Sequence, residues 1–216
     1  MIKKVEHYYI KNPRCKRINY QIKTNAFGIS FIFKTVSGVY SPKRVDLGSI
    51  IHLKHANLKN TDKILDLGCG YGTVGIIIKK LHPRIQVYMS DINQRAIDCA
   101  KENIKLNNIK AKVFQSDGFE NVKDCDFNVV LFNPPIQAGL KICYRLLAES
   151  FTHLKIGGTL QVVLRPREGG KSILKKMQAI FGNLKELGNE GIYVVYSSEK
   201  KTKEPISEYN KLMAKK

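Results

Sequence analysis

The 216-residue sequence has no tryptophan, and its five cysteines form no C-x-x-C pair. An odd, unpatterned set of cysteines is typical of free thiols in a reducing compartment and argues against disulfides or a zinc site. The five histidines are equally dispersed, and His52 and His55, which could share a helix face, have no acidic or cysteine partner nearby in sequence. The sequence therefore predicts structural histidines and no metal site.

Long apolar segments are missing as well. No run of 18 or more apolar residues occurs, which argues against a membrane-spanning helix. The N-terminal stretch carries charge but lacks the apolar segment of a secretory signal. We therefore expect a cytoplasmic protein that makes no membrane contact.

Acidic residues are scarce, with 18 Asp and Glu against 37 Lys and Arg, for a net charge of +19. An excess of this size favours a polyanionic partner such as nucleic acid, although a lysine-rich composition can also arise without a functional cause. Tyr8, Tyr9 and Tyr20 interleave with cations in a basic arm, a mixture suited to phosphate contact and base stacking. The cations of this arm are Lys3, Lys4, Lys11, Arg14, Lys16, Arg17 and Lys23. The alternative interpretation is a solvated arm.

Residues 59–200 alternate between strand and helix patterns, which predicts an α/β fold with a largely parallel sheet covered on both faces. The predicted strands span residues 63–67, 85–90, 111–115, 127–132, 158–164, 184–187 and 193–196. The predicted helices span residues 73–81, 94–106, 140–154 and 172–181. Only a few residues join the last two strands, so we expect these to pair antiparallel.

The remaining segments are predicted to flank this domain. In residues 1–58 the pattern suggests a basic arm, a hairpin made from residues 29–34 and Val39–Tyr40 after a Ser-Gly turn, and a lead-in helix over residues 49–57. Residues 201–216 form a lysine-rich tail with little to bury.

The stretch ILDLGCGYGTVG, residues 64–75, contains two overlapping cofactor signatures. The spacing Gly70-x-Gly72-x-x-Gly75 is that of a dinucleotide-binding loop. Gly68, Gly70 and Gly72 behind Asp66 have the spacing of an S-adenosylmethionine loop. Asp66 would oppose a pyrophosphate but suits a ligand that carries a sulfonium and an ammonium group, so charge favours the methyl donor.

Two further acidic residues follow predicted strands. Asp91 ends the second strand and could accept hydrogen bonds from ribose hydroxyls, a role that both cofactors allow. Asp117 and Gly118 follow the third strand, where the carboxylate could accept from an adenine amino group and the glycine would permit close approach. A simple Asp-Gly turn is the alternative interpretation of that pair.

The sequence FNPPI, residues 132–136, directly follows the fourth strand of the domain. In a parallel sheet the carboxyl ends of the strands line the ligand crevice. Two consecutive prolines remove two donors, so the carbonyls of Asn133 and Pro134 are expected to be free to point into the site. With the Asn133 amide oxygen, these acceptors could hold an exocyclic amine and stabilise positive charge on its nitrogen during methyl transfer.

These motifs resemble a class I S-adenosylmethionine-dependent methyltransferase that acts on an amino nitrogen. The fuller pattern of SGVYSPKRVDLGS, LDLGCGYGTVGI, SDINQRAIDCAKENIKLNN, FNPPIQAG and GGTLQVVLRPREGGKSILKKMQAIFGN resembles the small-subunit ribosomal RNA guanine-N2 methyltransferase family over residues 25–198. The resemblance implies a Rossmann-like fold with a mostly parallel seven-stranded sheet, a C-terminal antiparallel hairpin and helices on both faces. Bacterial members of the family often carry a second, degenerate methyltransferase-like half at the N-terminus. This sequence resembles a short, single-domain form without that half.

Carried over by position, the resemblance implies a cofactor site and a target-base site. Around the methionine part it places Asp66, Gly68, Gly70 and Gly72; on the ribose, Asp91; near the adenine, Asp117; at the target amine, Asn133, Pro134, Pro135 and Ile136. Ile92, Gly118 and Asn133 are also expected to contact the cofactor. Many amino methyltransferases have an aromatic residue where this sequence has Ile136. Phe132 and Tyr40 are the candidates to stack on the base in its place.

The predicted function is methyl transfer from S-adenosylmethionine to the N2 amine of a guanine in small-subunit ribosomal RNA, with ribosomal RNA or the small subunit as partner. The alternatives are an amino methyltransferase acting on tRNA, DNA adenine or a protein glutamine, and a non-catalytic RNA-binding or ribosome-assembly protein on the same scaffold. A dinucleotide oxidoreductase is a more distant alternative. A second basic cluster could contact RNA and comprises Arg165, Arg167, Lys171, Lys175 and Lys176.

Overall fold

The structure is a computed structural model that describes residues 8–205. Its elements are β1 (Asn19–Ala26), β2 (Ile29–Val36), α1 (Leu47–His55), β3 (Lys63–Leu67), α2 (Thr73–Leu81), β4 (Gln86–Asp91), α3 (Gln94–Leu106), β5 (Lys112–Gln115), β6 (Phe127–Phe132), α4 (Leu140–His153), β7 (Leu154–Leu164), α5 (Lys171–Phe181), β8 (Lys185–Glu190) and β9 (Tyr193–Glu199). Lys3 and Lys4 of the predicted basic arm and residues 206–216 of the predicted tail lie outside the described residues.

Strands β3 to β9 form one sheet in the order β5-β4-β3-β6-β7-β9-β8. The first five of these strands are parallel, whereas β9 runs antiparallel to both β7 and β8. The predicted fold class, a mostly parallel seven-stranded sheet with a C-terminal antiparallel hairpin, is confirmed. The predicted bounds of β3, α2, α3 and β6 match the structure, and most of the other predicted elements differ from it by one to three residues.

The strands are apolar on both faces because helices cover both sides of the sheet. Along β3, Ile64 packs into one core cluster with α2 and α3, and its neighbour Leu65 packs into a second cluster with α4 and α5. Strand β7 begins four residues earlier than predicted, at Leu154, which pairs with Phe127 before a register shift. Gly157 and Gly158 therefore lie inside this strand, at the irregularity.

The predicted pairing of the N-terminal hairpin is wrong. Strand β2 pairs with the upstream β1, with Ala26 opposite Ile29, and Val39 and Tyr40 lie outside the strands. The tight turn consists of Phe27 and Gly28, which have φ values of 54° and 77°. A two-residue turn with both residues at positive φ matches the twist of a hairpin. Phenylalanine seldom adopts that conformation, so the residue types at this turn do not indicate it.

Two asparagines of α3 attach the hairpin to the domain through the free edge of β2. The Asn103 amide accepts from Lys34 N at 2.7 Å and donates to Lys34 O and Tyr71 O at 2.9 Å. One turn later, Asn107 accepts from Ile32 N at 3.3 Å and donates to Ile32 O at 2.8 Å. These side-chain amides replace a neighbouring strand and fix the position of the segment that follows the hairpin.

Replacing Asn103 by alanine should destabilise the protein by about 2 kcal/mol or more, because three backbone groups, of which Tyr71 O is buried, would lose their partner. Urea unfolding would measure this loss. The control is Lys101→Ala, which removes an exposed side chain from the same helix. Equal stabilities of the two variants would show that the amide does not hold the hairpin.

No helix within residues 8–205 has both the length and the apolar character needed to cross a membrane.

Candidate active site

A crevice opens at the carboxyl ends of β3, β4 and β6. The strand order reverses between β3 and β6, and such a reversal is where open parallel sheets bind their ligands. Three acidic side chains line the crevice, namely Asp46, Asp66 and Asp91, and within residues 8–205 no lysine or arginine does. The acidic lining contrasts with the composition of the whole chain, which has about twice as many basic as acidic residues.

The glycine loop between β3 and α2 forms the floor of the crevice. Gly68, Gly70 and Gly72 have φ values of 73°, 56° and 94°, a conformation that residues with a Cβ rarely adopt. A Cβ at Gly68 or Gly70 would meet no atom within 4 Å, so both glycines face open space. Ser90 O accepts hydrogen bonds from Gly68 N and Cys69 N at 2.8 and 2.9 Å, which holds the loop against β4.

Asp91 holds the loop from the second side. One carboxylate oxygen accepts from Gly70 N and the other from Asn93 N, both at 2.8 Å. Burial raises the pKa of the Asp91 carboxyl to about 6, although the backbone donors Asn93, Gly70 and Ile92 oppose the increase. Ile92 also lines the crevice.

Asp66 lies below the loop and is buried. Its Oδ2 accepts from Gly75 N at 2.9 Å, which holds the first turn of α2 against the end of β3. Burial raises the pKa of the Asp66 carboxyl to about 7; the bond from Gly75 lowers it, and the nearby charge of Asp91 raises it further. Gly75, the last glycine of the dinucleotide spacing, contacts the core, because a Cβ there would lie 2.5 Å from Met89 Sδ.

The FNPPI segment forms the opposite wall. Asn133, Pro134 and Pro135 line the crevice, and Ile136 does not. The expectation that the Pro134 carbonyl is free is wrong, since it accepts from Ile136 N at 2.8 Å in a tight turn. Ile136 is the first residue after the two prolines that has a backbone N–H, and this group is close enough to donate to the Pro134 carbonyl. The Asn133 amide remains an acceptor that this segment offers to a ligand.

Asp46 is a functional candidate that the sequence interpretation missed. It caps the N-terminus of α1, with Oδ2 accepting from Ser49 N at 2.9 Å and from Asn133 Nδ2 at 3.4 Å. Its Oδ1 accepts from the Tyr40 hydroxyl at 3.0 Å. The available signal was an aspartate three residues before a serine at a predicted helix start, a pattern typical of an N-cap.

Aromatic side chains border the mouth of the crevice near Asn133. The rings of Tyr8 and Tyr40 lie 5.0 Å apart, and both residues line the crevice. Tyr40 is 38% exposed, whereas Phe132 is 1% exposed and belongs to the core. Of the two candidates for base stacking, Tyr40 is the accessible one.

The carboxylate of Asp117 lies beside the crevice and already has protein partners. It accepts from the Tyr9 hydroxyl at 2.8 Å and from the Arg145 guanidinium. Gly118 and Ser116 line the crevice, and Asp117 does not. Its predicted contact with an adenine stays a prediction. The interleaved Tyr8 and Tyr9 of the basic arm lie at this crevice, whereas the arm was expected to reach toward RNA.

The structural roles predicted for the histidines stay a prediction. His52 is buried, and burial lowers its pKa to about 4, so the ring is neutral at physiological pH. His55 Nε2 lies 3.0 Å from Glu190 Oε1. Residues 8–205 contain no group of three or more side chains able to hold a metal ion. None of the five cysteines, all of which lie in this range, forms a disulfide.

Arg165 of the second basic cluster is held by other side chains. Its guanidinium forms an ion pair with Glu168 at 3.0 Å and covers the Tyr193 ring at 4.8 Å from the ring centre. Neither Arg165 nor Arg167 lines the crevice. A role for this cluster in RNA contact stays a prediction.

Comparison with known proteins agrees with this architecture. The family model described as the methyltransferase small domain matches residues 30–197, and the chain belongs to this family. An uncharacterized protein of Bacillus subtilis, YbxB, is 32% identical over 198 residues, covering 90% of this chain and 98% of that protein. Ribosomal RNA small subunit methyltransferase C of Haemophilus influenzae is 32% identical over 76% of this chain and 49% of its own length.

A solved structure has the same fold. The 16S rRNA N2 methyltransferase RsmC of T. thermophilus, determined with AdoMet and guanosine, superimposes with a TM-score of 0.77 at 22% identity, covering 87% of this chain and 52% of that one. The chain thus spans about half the length of the methyltransferase C relatives that it matches. The predicted class, an S-adenosylmethionine-dependent class I methyltransferase, is confirmed at the level of family and fold.

The raised pKa of Asp66 predicts how stability changes with pH. Its folded value of about 7 lies above the ordinary 3.8, so between these values the folded protein binds more protons than the unfolded chain. This carboxyl therefore lowers the free energy of unfolding as pH rises from about 4 to 7. The Asp66→Asn variant lacks this titrating group. Its free energy of unfolding relative to that of the wild type should therefore increase as pH rises from about 4 to 7.

Urea unfolding at a series of pH values would measure the difference between the two proteins. The control is Asp98→Asn, which removes an exposed carboxylate. If the free energies of unfolding of Asp66→Asn and the wild type differed by the same amount at every pH, the raised pKa of Asp66 would be contradicted.

Proposed function

We propose that this protein transfers the methyl group of S-adenosylmethionine to the exocyclic N2 amine of a guanine in small-subunit ribosomal RNA. The observation that carries the proposal is the crevice itself, where carboxylates and an asparagine amide meet without a lysine or arginine. Acceptors and negative charge suit a cationic methyl donor and an amine substrate, and they oppose a phosphate-bearing dinucleotide.

The residues fit the proposed cofactor. Gly68 and Gly70 leave open space where a side chain would stand. Ser90 Oγ and His52 Nε2 are buried polar atoms without a hydrogen-bond partner in residues 8–205, and both residues line the crevice. Asp91 and Ile92 would hold the adenosine part and Asp66 with the glycine loop the methionine part. When bound, the cofactor supplies an electrophilic methyl group on a sulfonium.

Asn133 acts on the amine. A guanine N2 is a weak nucleophile because its lone pair is delocalised into the ring. The Asn133 amide oxygen would accept one of the amine hydrogens, which favours a pyramidal nitrogen and stabilises the positive charge that develops on it. The rigid prolines that follow fix the direction of this acceptor, so catalysis depends on alignment and needs no covalent intermediate.

A basic groove beside the crevice supports an RNA substrate. Lys23, Lys43 and Arg44 line the groove, and within residues 8–205 none of them forms an ion pair. Arg44 lies two positions before Asp46, so the groove begins within about 7 Å of the crevice wall along the chain. Phosphates flanking a nucleotide that is turned into the crevice would therefore meet these cations. The names of the relatives support ribosomal RNA as the source of that nucleotide.

The proposal is tested with labelled S-adenosylmethionine, purified protein and three unmodified substrates: small ribosomal subunits, total ribosomal RNA and tRNA. Nucleosides of the products are then separated. The expected result is label in N2-methylguanosine from the small subunit. Label in tRNA or in another nucleoside would change the target, and binding of the cofactor without transfer to any substrate would favour a protein substrate or a non-catalytic role.

Replacing Asn133 by alanine should lower turnover at least tenfold, about 1.4 kcal/mol of transition-state stabilisation, because the amine loses its acceptor. Cofactor affinity, measured by calorimetry, should change less than about twofold, since the substitution leaves the glycine loop intact. Asn189→Ala, on the exposed edge strand β8, is the matched control. Unchanged turnover in Asn133→Ala would remove this residue from the chemistry.

The double variant Lys43→Glu/Arg44→Glu should weaken RNA binding about tenfold or more. Loss of two phosphate contacts should also lower the slope of log affinity against log salt by about 1 to 2. Filter binding over a series of KCl concentrations would give both quantities. Lys123→Glu/Lys155→Glu makes the same charge change near the amino ends of β6 and β7, opposite the crevice. Equal slopes for the two double variants would place the RNA elsewhere.

A further inference from the structure

We propose that Asp46 is a positioning residue, which orients the Asn133 amide so that its oxygen faces the substrate amine. The inference rests on the proposed function of this crevice. It assigns a task to a residue at the start of α1, 87 positions away from Asn133 in sequence.

The chemistry of the contact fixes the orientation of the amide. An ionised carboxylate can only accept hydrogen bonds, so the group of Asn133 that faces Asp46 must be the NH2, whose nitrogen lies 3.4 Å from Asp46 Oδ2. The opposite orientation would set two acceptors against each other. Within residues 8–205 no donor contacts the amide oxygen of Asn133, which is thereby left for a ligand.

Asp46 can impose this orientation because it is itself immobilised. Ser49 donates to Oδ2 twice, from its backbone N–H at 2.9 Å and from its hydroxyl at 3.2 Å. Tyr40 donates to Oδ1 at 3.0 Å. The carboxylate is thus fixed between a helix N-terminus and the rim of the crevice. An acceptor that is held in place before substrate arrives lowers the reorganisation needed in the transition state.

The carboxylate also acts on the electronic state of the amide. A negative charge beside the NH2 polarises the group and increases the negative charge on its oxygen. That oxygen then stabilises the developing positive charge of the amine nitrogen more strongly. Loss of Asp46 should therefore lower kcat, whereas it should leave the affinity for the cofactor nearly unchanged.

A helix cap alone is the competing role, and Asp46→Ser separates the two. Serine is as good an N-cap as aspartate, so α1 should keep its stability. Its side chain is one group shorter and uncharged, and it cannot reach Asn133 while it caps the helix. A variant that loses activity without losing thermal stability would therefore report the positioning role.

The first readout is kinetic and uses a double-mutant cycle of Asp46→Ser with Asn133→Ala. We expect kcat of Asp46→Ser to fall about five- to twentyfold, with KM for RNA, cofactor Kd and Tm nearly unchanged. Because Asp46 acts through Asn133, the double variant should be no slower than Asn133→Ala alone. Unchanged kcat in Asp46→Ser, or a double variant that multiplies the two losses, would overturn the proposal.

The second readout is independent of activity and observes the Asn133 side-chain amide by 1H–15N NMR of the whole protein. Its signals are identified by their absence in Asn133→Ala. We expect them to be distinct from those of exposed asparagines in the wild type and to move toward those positions in Asp46→Ser. Signals that do not respond to Asp46→Ser would overturn the inference even in an active enzyme. A wild type that methylates no RNA but shows the NMR response would refute only the proposed function.

Discussion

The architecture of the crevice depends on the pair of hydrogen bonds that the Asp91 carboxylate accepts from Gly70 N and Asn93 N. These bonds join the glycine loop to the start of α3. Asn93 continues the connection, because its amide donates to Gly38 O at 2.7 Å and to Tyr8 O at 3.1 Å. One carboxylate thus ties together the floor of the crevice and the two segments that border its mouth. The pKa of the Asp91 carboxyl is raised because burying its charge costs free energy.

Charge is arranged in two layers. Acidic groups line the crevice, and the basic excess lies outside it, with Lys23, Lys43 and Arg44 in the adjacent groove. A cationic methyl donor would meet the acidic crevice, and a polyanionic substrate would meet the basic groove. The two could therefore approach the same reaction site from different sides. The loop from residue 37 to residue 46 connects both layers, and Asn103 and Asn107 set its position through the hairpin.

Sequence patterns were sufficient for the parts of the protein that local rules determine. Apolar runs and glycine spacing located the sheet, the loop of Gly68 to Gly72 and the strand ends that carry Asp91 and Asn133. They were insufficient where distant segments meet. The turn at Phe27 uses a conformation that its residue type disfavours, the carbonyl of Pro134 is satisfied by a turn within the motif, and the contact of Asp46 with Asn133 joins segments far apart in sequence. Periodicity and spacing carry no information about such contacts.

We propose that the crevice presents the Asn133 amide oxygen to the exocyclic amine of a guanine. The most direct measurement is a crystal structure with S-adenosylhomocysteine and guanosine bound together. We expect the guanine N2 within hydrogen-bond distance of Asn133 Oδ1 and the ribose of the cofactor product at Asp91. A guanosine whose N2 points away from Asn133, or a cofactor product bound outside the glycine loop, would contradict it.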